Sequence, residues 1–223
     1  MASRYESDMT RKEKMQLEKE KLSKMNFKEK LAYIWEYYKA VIFGIIAVVF
    51  IIGTIVNIHE NAKYYDLVSI AVVDYAGLQD VSPIEEDIKE ALGTGDKYEK
   101  VSIDTSYSFG EDLSGADYNT LMKFTAVIAA QSMDVLICSQ AVYDNYSRDD
   151  YFLELSTLFD EATCEKYGIQ AGDTCLDISK LKKYQDMGLT YYEPCYLTVV
   201  VNAKNTDNAA KLIEYLEEDG VNE

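Results

Sequence analysis

A single apolar segment constrains this chain more than any other feature. AVIFGIIAVVFIIGTIVNI, residues 40–58, contains 19 residues and no formal charge. As an α-helix it extends about 28 Å, close to the roughly 30 Å hydrocarbon core of a bilayer. It is longer than a typical signal-peptide core and no small-residue cleavage site follows it, which argues against a removed signal peptide. We therefore expect a retained, single-pass transmembrane helix, with the lipid bilayer as a partner of residues 40–58.

Charge is distributed unevenly on the two sides of this segment. Residues 1–39 contain ten Lys and Arg against seven Asp and Glu, whereas residues 40–223 contain 12 against 32. The positive-inside rule therefore predicts a protein of the cell membrane with a cytoplasmic N-terminus and an extracellular C-terminal domain. A domain this acidic repels nucleic acid, so we expect no nucleic-acid partner.

The segment divides the chain into three predicted regions. Residues 1–26 form a charged cytoplasmic tail, and residues 27–59 form a juxtamembrane and transmembrane helix. Asn26 and Glu29 have the spacing of a capping box, which indicates that this helix begins at Phe27. Residues 60–223 have the length of one domain that can bury its own core.

Strands and helices alternate in this third region, which predicts an α/β fold. Apolar or alternating runs indicate strands at residues 67–73, 98–104, 134–138 and 195–203, and amphipathic runs indicate helices at residues 83–92, 117–133, 140–146, 160–167 and 206–218. The order strand, helix, strand, helix, strand implies right-handed crossovers. Nearly continuous apolar strands are typical of strands covered on both sides. We expect a mostly parallel sheet with helices on both faces.

Polar residues stand at the ends of the first three predicted strands. In open α/β sheets, ligands bind beyond the carboxyl ends of the strands. The candidate ligand-binding residues there are Asp74, Tyr75, Thr105, Ser106, Ser139 and Gln140. Because strand ends are commonly polar, the alternative is an edge filled by the protein's own side chains.

All four cysteines lie in the region predicted to be extracellular. An oxidising compartment and an even count permit disulfides. Cys164 and Cys175 close a short loop, so we expect that pair to form a disulfide, and Cys138 and Cys195 are candidates to meet between neighbouring strands. Buried free thiols are the alternative.

The sequence shows no catalytic or metal centre. Its one histidine, His59, lies at the edge of the apolar segment, and no C-x-x-C motif occurs. Gly93-Thr94-Gly95 precedes a strand rather than following one, so it predicts a helix end and a turn rather than a nucleotide-binding loop. We expect a protein without cofactor or metal that is not an enzyme.

Two longer stretches carry a family resemblance. They are YNTLMKFTAVIAAQSMDVLICSQAVYDNYSRDDYFLELSTLF and EPCYLTVVVNAKNTDNAAKLIEYLEE, about 70 residues in all. Both resemble extracellular solute-binding proteins of the type 2 periplasmic-binding fold, and LAYIWEYYKAVIFGII resembles the N-terminal anchors of uncharacterised clostridial membrane proteins. Members of that solute-binding family close two lobes over a ligand, whereas this chain has the length of one lobe.

The resemblance implies a membrane-anchored, solute-binding-like or sensing module, with a small solute and a transporter or other membrane protein as partners. A second hypothesis from a different class is a structural or interaction subunit of a membrane complex, in which the lobe is a docking surface without a small-molecule ligand.

Overall fold

The computed structural model describes residues 9–77, 80–110, 113 and 115–218. Residues 1–8 of the predicted tail and residues 219–223 of the predicted domain therefore lie outside the described residues. The chain divides into two units, Met1–Ala62 and Lys63–Glu223.

The first unit contains helices α1 (Arg11–Lys24) and α2 (Phe27–Asn61). The capping box predicted for α2 is confirmed, because the Asn26 side chain accepts from the Phe27 backbone N–H at 2.8 Å and Glu29 accepts from the Asn26 N–H at 2.9 Å. Within the described residues, α2 is the one helix long and apolar enough to cross a membrane, over Tyr38–Asn61. This segment includes and extends the predicted residues 40–58.

The second unit combines a five-stranded sheet with helices. Its elements are β1 (Tyr65–Val73), α3 (Ser82–Leu92), β2 (Glu99–Tyr107), α4 (Tyr118–Ala129), β3 (Val135–Ser139), α5 (Gln140–Tyr146), α6 (Glu161–Tyr167), β4 (Leu176–Asp177), α7 (Lys182–Met187), β5 (Cys195–Val199) and α8 (Thr206–Glu217), with 3₁₀ turns at Ser147–Asp149 and Leu155–Thr157. The α/β class is therefore confirmed.

The sheet is mixed, with strand order β2-β1-β3-β5-β4. β1 pairs in parallel with β2 and β3, whereas β5 is antiparallel to both β3 and β4. The expectation of a mostly parallel sheet is not confirmed. The first three strands are joined by single helices that carry the chain back across the sheet, so these strands run in the same direction. The chain from β3 to β5 instead passes through α5, α6, β4 and α7, and β5 enters in the opposite direction.

The core consists of two clusters that take alternate residues of β1. Val68, Ile70 and Val72 belong to the first, and Ala71 and Val73 belong to the second, as expected because successive strand side chains point to opposite faces. Helix residues in the first cluster are Ile84, Ile88 and Leu92 of α3, Tyr184 of α7 and Ala209, Leu212, Ile213 and Leu216 of α8; those in the second are Phe124 and Ile128 of α4 and Val142 and Tyr146 of α5.

Three predicted element ends are corrected by the structure. β5 ends at Val199 rather than at Ala203, because the chain turns at Val201 and Asn202. β2 continues through Thr105 and Ser106 to Tyr107, because the Thr105 side chain is only half-buried and the Ser106 side chain is exposed, so polar residues are tolerated within this edge strand. α4 ends at Ala129 rather than at Met133, since Gln131 adopts a left-handed backbone conformation with φ 54° that cannot continue a helix.

A buried carboxylate fixes the start of β3. Asp134 is 2% exposed, and its Oδ2 accepts from the Ser69 backbone N–H and from Asn205 Nδ2, both at 2.9 Å. Its Oδ1 accepts from the backbone N–H groups of Lys204 and Asn205 at 2.9 and 3.1 Å. One side chain thus joins β1, β3 and the entry to α8.

Candidate functional site

The carboxyl ends of β2, β1 and β3 lie at one edge of the sheet, because these three strands run parallel. The predicted site residues are distributed unevenly along this edge. Asp74 and Tyr75 directly follow β1, Ser139 ends β3, and Gln140 begins α5.

Asp74 is occupied by contacts within the protein. It has a left-handed backbone conformation with φ 52°, and its Oδ1 accepts from the backbone N–H groups of Phe109 and Gly110 at 2.8 and 3.0 Å. Ser108 donates to the same oxygen at 3.3 Å, and the Tyr192 hydroxyl donates to Oδ2 at 3.0 Å. Asp74 therefore closes the edge by holding the segment after β2 and the segment before β5. Its neighbour Tyr75 packs, partly buried, against the first core cluster.

Ser139 and Gln140 do come together at a cavity of about 440 Å³, which we call the edge cavity. Its other lining residues are Ala141, Asp144, Tyr192, Glu193 and Pro194, with a cis bond between Glu193 and Pro194. Gln140 is exposed, whereas the Ser139 hydroxyl is buried and has no hydrogen-bond partner among the described residues. Tyr192 connects this cavity to Asp74.

Thr105 and Ser106 do not line the edge cavity. Ser106 lies inside β2, where its hydroxyl donates to the carboxylate of Asp104, and Lys123 of α4 binds both Ser106 and Asp104. Burial raises the pKa of Asp104, but the hydrogen bonds from Ser106 and Lys123 outweigh it and lower that pKa below its ordinary value. These residues form a polar cluster on the edge strand β2 and its neighbour α4, apart from the edge cavity.

Sequence reasoning missed Asp144, Tyr192 and Glu193 as lining residues. Because β5 is antiparallel to β3, the amino end of β5 arrives at the carboxyl end of β3 and brings residues 192–194 to the cavity. The Tyr191-Tyr192 doublet beside Pro194 was the visible signal, but only the strand direction gives it a place.

The edge cavity is acidic. Asp144 and Glu193 line it, and no Lys or Arg does among the described residues. Its volume falls within the range of roughly 300–1,000 Å³ typical of ligand pockets, although it is broadly open to solvent. Such a surface can hold a small neutral or cationic group, and it repels anions.

The four cysteines are free thiols in the structure. Cys138 belongs to the second core cluster and Cys195 to the first, so the two side chains leave their neighbouring strands on opposite faces and do not meet as expected. Burial raises the pKa of Cys138 well above its ordinary value. A disulfide between Cys164 and Cys175 stays a prediction.

The Gly93-Thr94-Gly95 turn holds a carboxylate of the protein itself. Gly93 ends α3 as predicted, and Glu99 accepts from the Thr94 hydroxyl at 2.7 Å and from the backbone N–H groups of Thr94, Gly95 and Asp96 at 2.9 to 3.2 Å. The donors that a phosphate would need are therefore occupied. Among the residues that the structure describes, no group of three or more His, Cys, Asp or Glu is placed to hold a metal ion.

No protein-family model matches this chain, and no curated protein or solved structure is significantly similar to it.

Proposed function

We propose that this protein is a membrane-anchored, extracytoplasmic module that binds a small solute at the edge cavity. In this proposal α2 spans the cell membrane once, the N-terminus is cytoplasmic, and the second unit is an extracellular lobe with helices on both faces of its sheet. The module is solute-binding-like and works beside a transporter or another membrane protein.

The observation that carries the proposal is the position of the edge cavity. Ser139 and Gln140 line it at the carboxyl end of β3, a strand parallel to β1, and open α/β sheets bind ligands beyond the carboxyl ends of their parallel strands. The two core clusters support a lobe covered on both faces. The apolar length of Tyr38–Asn61 and the excess of basic residues before it support the anchor and its orientation.

The lining favours a small cationic solute. Asp144 and Glu193 supply two carboxylates, and Gln140 offers an exposed amide that both donates and accepts hydrogen bonds. The ligand class proposed is therefore an amine or a basic amino acid rather than an organic acid.

A second candidate function is an interaction subunit of a membrane complex. Asp74 favours it, because four donors from the protein already occupy that carboxylate and leave it unsuited to a ligand. The broad opening of the cavity also suits a protruding segment of another protein.

The test is binding of lysine, arginine and putrescine to the purified full chain in detergent, measured by isothermal titration calorimetry. We expect saturable binding that is lost when Asp144 and Glu193 are changed together to Asn and Gln. The matched control is Glu161→Gln, an exposed carboxylate outside the cavity, which should leave binding unchanged. If none of the three probes binds, the proposed solute site is wrong. Crosslinking from position 140 in the intact membrane to a second membrane protein would then favour the interaction subunit.

A further inference from the structure

A second cavity lies on one face of the sheet, away from the edge cavity. It measures about 290 Å³ and is bounded by β1, β2, the end of α4 and the turn before β3. The polar residues that line it are Asp66, Ser69, Ser102, Asp104, Tyr107 and Ser132, and the other lining residues are apolar. We call it the sheet-face cavity.

Strand periodicity places these polar groups together. Val101 and Ile103 of β2 belong to the first core cluster, so Ser102 and Asp104, which alternate with them, point to the opposite face. That face carries the second core cluster further along the strands, but here it is polar. The side chains of Asp66 and Asp104 are 34% and 43% exposed, so this polar part of the face can be reached from solvent.

Tyr107 supplies an independent sign of an occupant. Its side chain is 1% exposed, it lines the sheet-face cavity, and its hydroxyl has no hydrogen-bond partner among the described residues. Burial raises the pKa of Tyr107, and the Asp104 carboxylate raises it further, by its charge and by a contact with the hydroxyl that falls short of ordinary hydrogen-bond geometry, so the phenol keeps its proton and acts as a donor. A buried donor without an acceptor is uncommon in folded proteins.

Two lysines balance the charges of the carboxylates that line this cavity, and the carboxylates still offer accepting oxygens. Asp66 Oδ1 accepts from the Ser102 hydroxyl and contacts Lys100 Nζ at 3.2 Å, and the Asp66 side chain is 34% exposed. Lys123 contacts Asp104 at 3.0 Å in the same way. Each acidic group at the cavity is thus balanced by a lysine.

These requirements select a ligand chemistry. The Tyr107 hydroxyl offers a donor and the partly exposed Asp66 carboxylate offers an acceptor, and an alcohol group can pair with both. An ammonium group only donates, so it would leave Tyr107 without an acceptor. A volume of about 290 Å³ lies at the lower end of ligand pockets, which suits a single ring or a smaller molecule.

From this arrangement we infer that the sheet-face cavity is a binding site for a small, uncharged polyhydroxylated molecule, with Asp66, Ser102 and Tyr107 as its polar contacts. This inference goes beyond the proposed function, because it concerns a separate site with a different ligand chemistry and does not depend on the edge cavity.

Equilibrium dialysis of the full chain in detergent against radiolabelled myo-inositol and D-glucose tests it. Dialysis at low millimolar concentration avoids the general stabilisation that concentrated polyols give to proteins. We expect saturable binding of one molecule per chain by at least one of the two probes.

Tyr107→Phe is the decisive variant. It removes only the hydroxyl, which has no partner in the protein, so folding stability should stay the same or increase while binding weakens about three- to tenfold. Ser132→Trp provides a second variant at an exposed position on the rim, where the larger side chain should block binding. Glu161→Gln, at an exposed position outside both cavities, is the control and should leave polyol binding unchanged.

Two results would overturn the inference. One is no saturable binding of either probe by the unmodified chain, which would mean that the cavity holds only water. The other is equal binding by the unmodified chain and Tyr107→Phe. If the unmodified chain binds a polyol but no amine, the proposed function is wrong and this inference stands. The two failures are therefore distinguishable.

Discussion

The Tyr192 hydroxyl donates to Oδ2 of Asp74 at 3.0 Å, across 118 positions of the chain. Asp74 directly follows β1, and Tyr192 lies just before β5, which is not paired with β1. The same carboxylate accepts from the backbone after β2. One aspartate therefore determines the arrangement of three segments around the edge cavity.

Replacing Asp74 should destabilise the second unit. Asp74→Ala removes four hydrogen bonds. It also leaves alanine in the left-handed backbone conformation, where it has no polar side chain to offset the steric cost. We therefore expect a loss of about 2–4 kcal/mol in the free energy of unfolding. Asp74→Asn keeps an accepting oxygen and tolerates this backbone conformation, and should lose about 1 kcal/mol. Chemical denaturation measures both; equal losses would show that the hydrogen bonds contribute little.

Asp134 should have a larger effect on stability than Asp74. Asp134→Ala leaves three backbone N–H groups and the Asn205 amide without their acceptor in a buried position, which we expect to cost about 3–5 kcal/mol. The control is Asp207→Ala, an exposed position in the first turn of α8. If the two variants unfold at similar denaturant concentrations, the role assigned to Asp134 is wrong.

Local chemistry explains which elements the sequence predicted well. The start of α2 at the Asn26 box, the end of α3 at Gly93 and the limits of α5 all follow from contacts within a few residues, and all are confirmed. The direction of β5 and the existence of the two-residue β4 depend on pairing with residues far away in the chain, which no local pattern encodes.

The candidate site could be predicted only in part from the sequence. Ser139 and Gln140 were found because a buried strand ends there, but Thr105 and Ser106 were misplaced because polar residues in an edge strand look like a strand end. That Asp74 is occupied by Tyr192 could not be foreseen, since their contact depends on the antiparallel return of β5.

Glu99 should make stability depend on acidic pH. Hydrogen bonds from the Thr94 hydroxyl, and then from the backbone of Thr94, Gly95 and Asp96, hold the pKa of Glu99 below its ordinary value of 4.5. A lowered pKa in the folded state gives stability that is present above pH 4.5 and is lost as pH falls through the folded pKa. We therefore expect Glu99→Gln to be less stable than the unmodified chain near neutral pH, with the difference shrinking below pH 4.5.

Thermal unfolding of both proteins between about pH 3 and pH 7 measures this effect. Glu90→Gln on the exposed surface of α3 is the matched control and should leave the pH profile unchanged. A difference between Glu99→Gln and the unmodified chain that stays constant across this range would contradict the assignment.

A charge in the apolar part of α2 should prevent membrane insertion. Val49 lies near the middle of Tyr38–Asn61, where an arginine costs about 2.5–3.5 kcal/mol on insertion scales. We expect Val49→Arg to shift the chain into the soluble fraction after alkaline carbonate extraction, while Val49→Leu stays with the membrane. An unmodified chain that is itself extracted would contradict the proposed anchor.

The cysteines should react in an order set by their environments. Cys138 is fully buried, and its burial raises its pKa, so little thiolate is present; Cys164 is only partly buried. With iodoacetamide at mildly alkaline pH and mass spectrometry of the peptides, we expect Cys164 to be alkylated in the folded protein and Cys138 only after unfolding. A disulfide between Cys164 and Cys175 would instead protect both until a reductant is added, and the intact chain would then be lighter by two hydrogens. Equal labelling of Cys138 and Cys164 in the folded, reduced protein would contradict the burial of Cys138 between β3 and the helices that cover it.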